Sequence, residues 1–215
     1  MIVFEGVTKR FGNRVVLEDV SFEIRPGEFV SIVGPSGAGK TTLIKLILGD
    51  ERPTEGAVFA NNVDLRGIQD DDLQRYRRNI GAIFQDYKLL PGKTVFENVA
   101  FALSACEYPK TDIPQLVAQA LESAGISHLR EHFPHELSGG EAQRAALARA
   151  TVHKPKLILA DEPTGNLDSE NARQVVKNLL KINMEGATVL LTTHNRPLVD
   201  LIGQKVLRID RGRLT

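Results

Sequence analysis

Residues 29–48 read FVSIVGPSGAGKTTLIKLIL, and this stretch decides the fold. Residues 29–33 are apolar apart from Ser31, as expected of a buried strand in a parallel sheet. Residues 40–48 have the composition of a helix, and Gly49 is a stop signal. Between them, residues 34–41 fit the pattern G-x-x-x-x-G-K-[ST], which gains meaning when it follows a strand and begins a helix. The stretch therefore predicts a phosphate-binding loop in an α/β sheet.

The residue types of this loop indicate its chemistry. Glycines let main-chain N–H groups close around phosphate oxygens, and a helix N-terminus adds positive potential. We expect Lys40 to reach the β- and γ-phosphates of a nucleotide and Thr41 to offer its hydroxyl to Mg²⁺. The alternative is an ordinary glycine turn before a helix. The nucleotide hypothesis predicts binding contacts from Gly34, Pro35, Ser36, Gly37, Ala38, Gly39, Lys40, Thr41 and Thr42.

A second stretch, LILADEPTGNLD at 157–168, supplies carboxylates. Its apolar start predicts a strand, and Asp161 and Glu162 follow at the C-terminal end, where open α/β sheets bind ligands. Asp161 is suited to hold Mg²⁺, and Glu162 to accept a proton from an attacking water. The alternative is a pair of exposed acids in a loop. Together with the phosphate loop, the stretch predicts a nucleotide-hydrolysing site.

A second glycine-rich helix start occurs in ELSGGEAQRAALARA at 136–150. Ser138 and Glu141 have the spacing of a capping box, which would be a purely structural role. Gly139 and Gly140, however, would let a bulky anion approach the first helical turn. Because residues 34–42 already supply one helix start for the phosphates, we expect residues 138–141 to face the ATP of a partner subunit.

Composition excludes several classes of protein. The chain has 215 residues, 42% of them hydrophobic, and its 27 basic residues equal its 27 acidic residues. A net charge of zero argues against a general binder of nucleic-acid backbones. The single cysteine, Cys106, suits a reducing compartment, and no signal peptide or apolar stretch of about 20 residues is visible. We expect a cytoplasmic protein.

The remaining patterns give the order of the elements. Residues 1–33 alternate apolar and polar residues around turn signals at 12–13 and 26–27, which predicts several short strands. Further strands are predicted at 80–84, 157–161, 188–193 and 205–210, and helices at 70–78, 113–124 and 170–182, with Asp112 as an N-cap. Strands that alternate with helices predict an α/β fold with a mainly parallel sheet.

GPSGAGKT, LSGGE, LILADE and the histidine of LLTTH have the order and spacing of the ABC ATPases, and the chain resembles this family over essentially its whole length. The resemblance implies a P-loop NTPase of the ABC-ATPase fold, in which a mainly parallel sheet is joined by an N-terminal antiparallel β subdomain and an inserted α-helical subdomain. It implies one domain, 1–215, with 1–85 and 155–215 as the nucleotide-binding core and 86–154 as the helical subdomain containing the signature motif.

The resemblance also implies roles for individual residues. Two ATP molecules would lie in a head-to-tail homodimer, each between the phosphate loop of one subunit and Ser138, Gly139, Gly140 and Glu141 of the other. Gln85 would sense Mg²⁺ and water, so that Mg²⁺ would have Thr41, Gln85 and Asp161 as ligands. His194 would contact the γ-phosphate and Asp168 would lie at the dimer seam. Phe11 resembles the aromatic residue that stacks on adenine, although a core role is the alternative.

Within the family, FQDYKLLPGKTVFENVAFAL at 84–103 and EPTGNLD at 162–168 are similar to the cell-division members. GNLD stands where SALD is the family pattern. The ATPases of lipoprotein-release and macrolide-export systems share EPTGNLD and are the alternative. The cell-division resemblance implies an FtsX-like permease as integral membrane partner, which would hold the chain at the inner face of the membrane. We expect Leu89, Leu90 and Pro91 to line the cleft for that partner, and the alternative is that they belong to a small separate apolar core. A soluble cassette acting on DNA or ribosomes is the remaining alternative, which the neutral charge disfavours.

Overall fold

The computed structural model describes residues 1–215, except for the side chain of Arg196. Seven α-helices and ten β-strands are present in the described chain. The strands are β1 Ile2–Phe11, β2 Arg14–Ile24, β3 Phe29–Val33, β4 Glu55–Ala60, β5 Val63–Asp64, β6 Ile80–Phe84, β7 Leu157–Asp161, β8 Thr188–Thr193, β9 Lys205–Asp210 and β10 Arg213–Leu214. The helices are α1 Lys40–Leu48, α2 Asp70–Arg77, α3 Val95–Ala105, α4 Ile113–Ser123, α5 Gly139–Thr151, α6 Ser169–Met184 and α7 Arg196–Ile202. Short 3₁₀ helices cover Ser127–Leu129 and Pro134–Glu136.

The strands form two sheets. A six-stranded sheet has the order β10-β9-β3-β8-β7-β6, and every pair in it is parallel except β9 with β10. An antiparallel sheet has the order β2-β1-β4-β5. The expected mainly parallel sheet and N-terminal antiparallel subdomain are therefore confirmed. Because β3, β8, β7 and β6 are neighbours in parallel, their C-terminal ends meet at one edge.

Residues 1–33 differ from expectation in one respect. They form two long strands and one short one, so the prediction of several short strands is wrong. The pairing of β1 with β2 changes register after Phe4, Val7 and Lys9, and bulges of this kind bend a strand without ending it. Each bulge also interrupts the alternation of apolar and polar residues, which is why the pattern indicates shorter strands.

Three apolar clusters stabilise the arrangement. The first lies between the antiparallel sheet, α1 and one face of the parallel sheet, with Phe4, Leu43 and Leu159 among its members. The second covers the opposite face with residues of α5, α6 and α7. The third belongs to the helical subdomain and joins α3, α4 and α5 through residues such as Val99, Val117 and Ala145. The parallel sheet is thus buried on both faces, as such sheets require.

The helical subdomain contacts the core at Cys106, the only cysteine of the chain. Cys106 follows α3, and its Sγ lies 3.5 Å from the carbonyl oxygen of Arg78, which follows α2. Arg78 also forms an ion pair of 2.7 Å with Glu107. Burial raises the pKa of the Cys106 thiol. No helix among the described residues is long and apolar enough to cross a bilayer.

Candidate active site

The phosphate loop follows β3, between β8 and β9 in the middle of the sheet, and leads directly into α1. Gly39 has a φ of 108°, a conformation that side chains rarely allow, and a Cβ there would lie 2.7 Å from the side chain of Leu17. No side chain caps the N-terminus of α1, and its first turn contains no acidic residue. The first N–H groups of α1 therefore have no competing side-chain acceptor and are suited to an anion.

Lys40 lies at the start of α1 and is almost completely buried. Its ammonium donates hydrogen bonds to the carbonyl oxygens of Gly34 (2.8 Å) and Pro35 (3.0 Å). The same Nζ lies 3.1 Å from Oε1 of Glu162. Lys40 therefore links the phosphate loop to the end of β7.

Asp161 and Glu162 are oriented by a residue of the neighbouring strand β8. The hydroxyl of Thr192 donates to Oδ1 of Asp161 at 2.6 Å and accepts a hydrogen bond from the main-chain N–H of Glu162 at 3.2 Å. Glu162 has a φ of 48°, an uncommon conformation for a residue with a side chain. The Thr192 carbonyl also accepts from the Glu162 N–H, at 3.1 Å. These bonds hold the strained turn that directs the two carboxylates apart.

His194 lies just beyond β8 and contacts the same glutamate. Its Nδ1 is 2.9 Å from Oε2 of Glu162, and its main-chain N–H donates to the same oxygen at 3.3 Å. The Glu162 carboxylate therefore lies between the Lys40 ammonium on one side and the His194 imidazole on the other. Three residues that the sequence singled out separately form one cluster, which is the arrangement expected around a transferred phosphoryl group.

Gln85 follows β6, the strand beside β7, so it lies at the same edge of the sheet. Its side chain Nε2 is 3.4 Å from Oδ1 of Asn166, and the Asn166 amide donates to the carbonyl oxygen of Gln85 at 3.1 Å. The sequence does not predict the contact of Asn166 with Gln85, and its only signal is the position of Asn166 in GNLD, where SALD is the family pattern.

The second glycine-rich helix start is a complete capping box. The Ser138 hydroxyl accepts from the N–H of Glu141 at 3.4 Å, and Oε2 of Glu141 accepts from the N–H of Ser138 at 2.8 Å. Hydrogen bonds from Ser138 hold the pKa of the Glu141 carboxyl below its ordinary value. Within one chain, Ser138 and Glu141 therefore have the structural role of a capping box. Among the described residues, no hydrogen bond joins residues 138–141 to the phosphate loop.

Asp168 and Phe11 also lie apart from the cluster around Lys40. Asp168 caps α6, accepting from the N–H groups of Asn171 (2.8 Å) and Glu170 (3.0 Å), and these bonds, with that from the Asn171 amide, lower the pKa of its carboxyl. The Phe11 ring is 44% exposed and has the Lys9 ammonium 4.7 Å from its centroid, so it is not a core residue. Both remain exposed and available to a ligand or a partner.

The site fits a magnesium nucleotide. The uncapped N-terminus of α1 and the Lys40 ammonium are suited to phosphate oxygens. The nearby oxygen donors are one buried carboxylate, Asp161, and the exposed Thr41, with the Gln85 amide at the same edge of the sheet. Mg²⁺ prefers oxygen ligands and is usually bound through one or two carboxylates together with substrate phosphates. The donor set therefore suits Mg²⁺ bound with a nucleotide.

Comparison with known proteins agrees with this geometry. The family model described as ABC transporter matches residues 17–165. The chain is 45% identical over 213 residues to the cell division ATP-binding protein FtsE of Bacillus subtilis, covering 99% of this chain and 93% of that protein. It is 41% identical over 215 residues to the protein of the same name in Escherichia coli, covering 100% and 97%.

A solved structure gives the same result for the fold. The dimeric structure of an ATP-binding cassette in a post-hydrolysis state, bound to ADP and Pi, superposes with a TM-score of 0.92. The two sequences are 35% identical, and the match covers 100% of this chain and 96% of that one. The family match, the relatives and the shared fold lead to one conclusion: the chain belongs to the ABC transporter family, as one of its ATPase cassettes.

Proposed function

We propose that the chain is the ATPase subunit of a membrane-bound cell-division complex, in which it acts as a homodimer. The main support for an ATPase is the cluster of Lys40, Glu162 and His194 near the ends of β7 and β8. The support for the cell-division role is the 41–45% identity to relatives named for cell division. That naming favours this role over the lipoprotein-release or macrolide-export alternative. Residues 86–154 serve in this proposal as the helical subdomain and the rest of the chain as the core.

In this proposal each residue around the phosphates has a defined task. Residues 34–42 bind the ATP phosphates through main-chain N–H groups and Lys40, and Phe11 stacks on the adenine. Thr41, Gln85 and Asp161 hold Mg²⁺, which neutralises charge on the β- and γ-phosphates. The exposure of Phe11 and the buried position of Lys40 support these assignments.

Hydrolysis is assigned to the cluster around Glu162. A water attacks the γ-phosphorus and transfers a proton to Glu162, and the bond to the β–γ bridging oxygen breaks to give ADP and phosphate. Lys40 stabilises negative charge on the phosphates, and His194 both orients Glu162 and contacts the γ-phosphate. The 2.9 Å contact of His194 with Glu162 supports this division of tasks.

The dimer supplies the second half of each site. Ser138 to Glu141 lie at an exposed helix start, and Asp168 lies at an exposed loop, so both are accessible to a second copy. A head-to-tail pair would place them against the ATP held by the other subunit's phosphate loop. The solved cassette with a TM-score of 0.92 is itself dimeric, which supports this arrangement.

The membrane partner is proposed to bind at residues 89–91. Leu89 packs partly against the apolar cluster of the helical subdomain, and Leu90 is held through its main chain by Asn98. Pro91 is exposed, as is half of the Phe101 side chain on α3. An FtsX-like permease docked there would keep the chain peripheral at the inner face of the membrane and would receive the movement driven by ATP.

The deciding experiment is affinity purification of the Glu162→Gln protein from membranes of its own host with Mg-ATP, followed by identification of the co-purified proteins. We expect a permease with a large extracytoplasmic domain that binds cell-wall hydrolases. A permease that handles lipoproteins or drugs would keep the ATPase assignment and contradict the cell-division role. The matched control is Lys40→Ala, which should not form the nucleotide-bound dimer.

A further inference from the structure

The segment that follows β6 has an unusual backbone. Tyr87 and Lys88 are consecutive residues with φ values of 60° and 49°, in the left-handed region that residues with side chains seldom occupy. Such a conformation is maintained only when surrounding contacts determine it, and it is frequent where a segment must respond to a ligand. The contacts that hold residues 85–88 therefore identify what the segment is attached to.

Arg149 of α5 makes the first attachment. Its guanidinium donates to the carbonyl oxygens of Tyr87 (2.9 Å) and Lys88 (2.5 Å), the two residues with left-handed backbone. Arg149 is partly buried, and among the described residues no carboxylate lies within 4.0 Å of it. A partly buried cation without an acidic partner depends on its hydrogen bonds, and the planar guanidinium of Arg149 uses two separate nitrogens here, one for each carbonyl.

The side chain of Tyr87 extends the same attachment to the signature motif. A Cβ built on Gly139 would lie 3.1 Å from the Tyr87 hydroxyl oxygen, so the phenol lies closely against the first residue of α5. Burial raises the pKa of this phenol. Residues 85–88 therefore contact α5 both at Arg149, in its last turn, and at Gly139, where the helix begins.

The loop at 165–168 makes the second attachment. Asn166 and Gln85 exchange two amide contacts, 3.1 Å and 3.4 Å long. A Cβ on Gly165 would lie 3.0 Å from Nε2 of Gln85, so a serine at this position, as in SALD, would crowd that side chain. Glycine at 165 and asparagine at 166 thus form a matched pair, in which one makes room for Gln85 and the other binds it.

We propose that Arg149 and Asn166 are positioning residues that fasten residues 85–88 to α5 and to the 165–168 loop. A movement of Gln85 then displaces, as one unit, the two surfaces assigned to the partner subunit's ATP, namely residues 138–141 and Asp168. Arg149 and Asn166 act through these neighbours and touch no nucleotide. The inference rests on the proposed ATP site.

The test compares Arg149→Lys and Asn166→Ala with the unaltered protein in steady-state ATP hydrolysis. Loss of either attachment should lower kcat by about threefold to tenfold, a range typical of residues that transmit coupling, while KM for ATP changes by less than about twofold. Arg149→Lys should also be cleaved faster by trypsin after Lys88 in the absence of nucleotide, because the shorter lysine side chain lacks the two separate nitrogens that donate to the carbonyls of Tyr87 and Lys88. Matched controls are Arg173→Lys and Asn178→Ala on α6, which should leave both measurements unchanged.

Unchanged kcat in both variants, or a rise in KM alone, would overturn the proposal. Asn166 is exposed, so Asn166→Ala provides the kinetic test even if Arg149→Lys folds poorly. If the unaltered protein failed to bind ATP, the proposed function would fail instead. Cleavage at Lys88 would then still decide whether Arg149 holds the segment.

Discussion

Lys40 Nζ lies 3.1 Å from Glu162 Oε1, with 6% and 13% of the two side chains exposed. The ammonium also donates to the carbonyls of Gly34 and Pro35, and Glu162 has a second contact with His194. Screening by water is weak for groups this buried, so the attraction between the two charges is stronger than in a surface ion pair. A phosphate that reaches Lys40 competes with Glu162 for the same ammonium. We expect nucleotide binding to loosen the pair and leave Glu162 able to accept a proton.

The first prediction concerns Glu162→Gln. Removing the base while keeping the shape should lower the hydrolysis rate by about 10²- to 10⁴-fold and leave ATP binding intact. Because the bound ATP persists, the protein should elute as a dimer in size-exclusion chromatography with Mg-ATP and as a monomer without it. A monomeric, fully active variant would contradict both the base assignment and the dimer.

The second prediction concerns Lys40→Ala. Loss of a charge-assisted contact to the phosphates should weaken ATP binding by about thirtyfold or more in calorimetric titration. The matched control is Lys45→Ala, an exposed lysine of the same helix α1, which should bind ATP like the unaltered protein. Equal affinities of the two variants would remove Lys40 from the phosphate site.

The third prediction separates capping from ATP binding in the signature motif. Ser138→Ala and Thr94→Ala each remove the hydroxyl of a capping box, from α5 and α3 respectively, and each should lower the free energy of unfolding by about 1 kcal/mol. Only Ser138→Ala should also weaken ATP-dependent dimer formation, measured in the Glu162→Gln background. If ATP-dependent dimer formation is equally strong in both variants, Ser138 has only its structural role.

The fourth prediction concerns partner docking. Leu90→Asp puts a charge into the proposed apolar contact and should release the membrane partner in co-purification, while ATP affinity stays unchanged. Leu201→Asp is the control, since it makes the same change at an exposed leucine of α7. The docking role would be excluded by retention of the partner, or by loss of ATP binding along with it.

The fifth prediction is a dependence of stability on pH. Burial lowers the pKa of His153 below its ordinary 6.5, and a main-chain hydrogen bond at Ile80 offsets only part of this effect. Below about pH 6.5 the unfolded chain takes up a proton that the folded chain binds only at lower pH. The stability associated with the neutral ring is therefore complete above pH 6.5 and lost as the pH falls.

Chemical denaturation between pH 7.5 and 5 tests this dependence. The free energy of unfolding should fall less steeply in His153→Leu than in the unaltered protein. His132→Leu, a change at an exposed histidine, should not flatten the curve. The carboxyl groups with lowered pKa, such as Asp168 and Glu141, lose their contribution at more acidic pH, so they do not obscure this window. Parallel curves for all three proteins would argue against His153.

Elements with a strong local pattern were predictable from the sequence. Helix α1 runs over the expected residues 40–48, and Gly49 ends it with a φ of 68°. Asp112 precedes α4 as expected, but its carboxylate accepts from the Thr111 hydroxyl instead of capping the helix. Local spacing predicts where a helix starts but does not determine which of two nearby donors a short acidic side chain will choose.

The sequence predicts the motifs of the candidate site but not the contacts that hold their residues in place. Lys40, Glu162 and His194 could each be identified because the chemistry of each depends on a short pattern. Thr192 and Arg149 could not be identified in this way, because their roles depend on a neighbouring strand and on a carbonyl pair far away in the chain. Such contacts follow from strand order and helix packing, which one sequence does not reveal.

The position of Cys106 has a practical consequence for spectroscopy. The only thiol of the chain lies where α3 of the helical subdomain meets the carbonyl of Arg78 in the core. A rotation of one part against the other would change the accessibility of this thiol, and with it the rate at which a maleimide dye labels the protein. The unaltered chain therefore contains its own reporter, since a labelling rate that differs with and without Mg-ATP would reveal a movement between the two parts without any engineered residue.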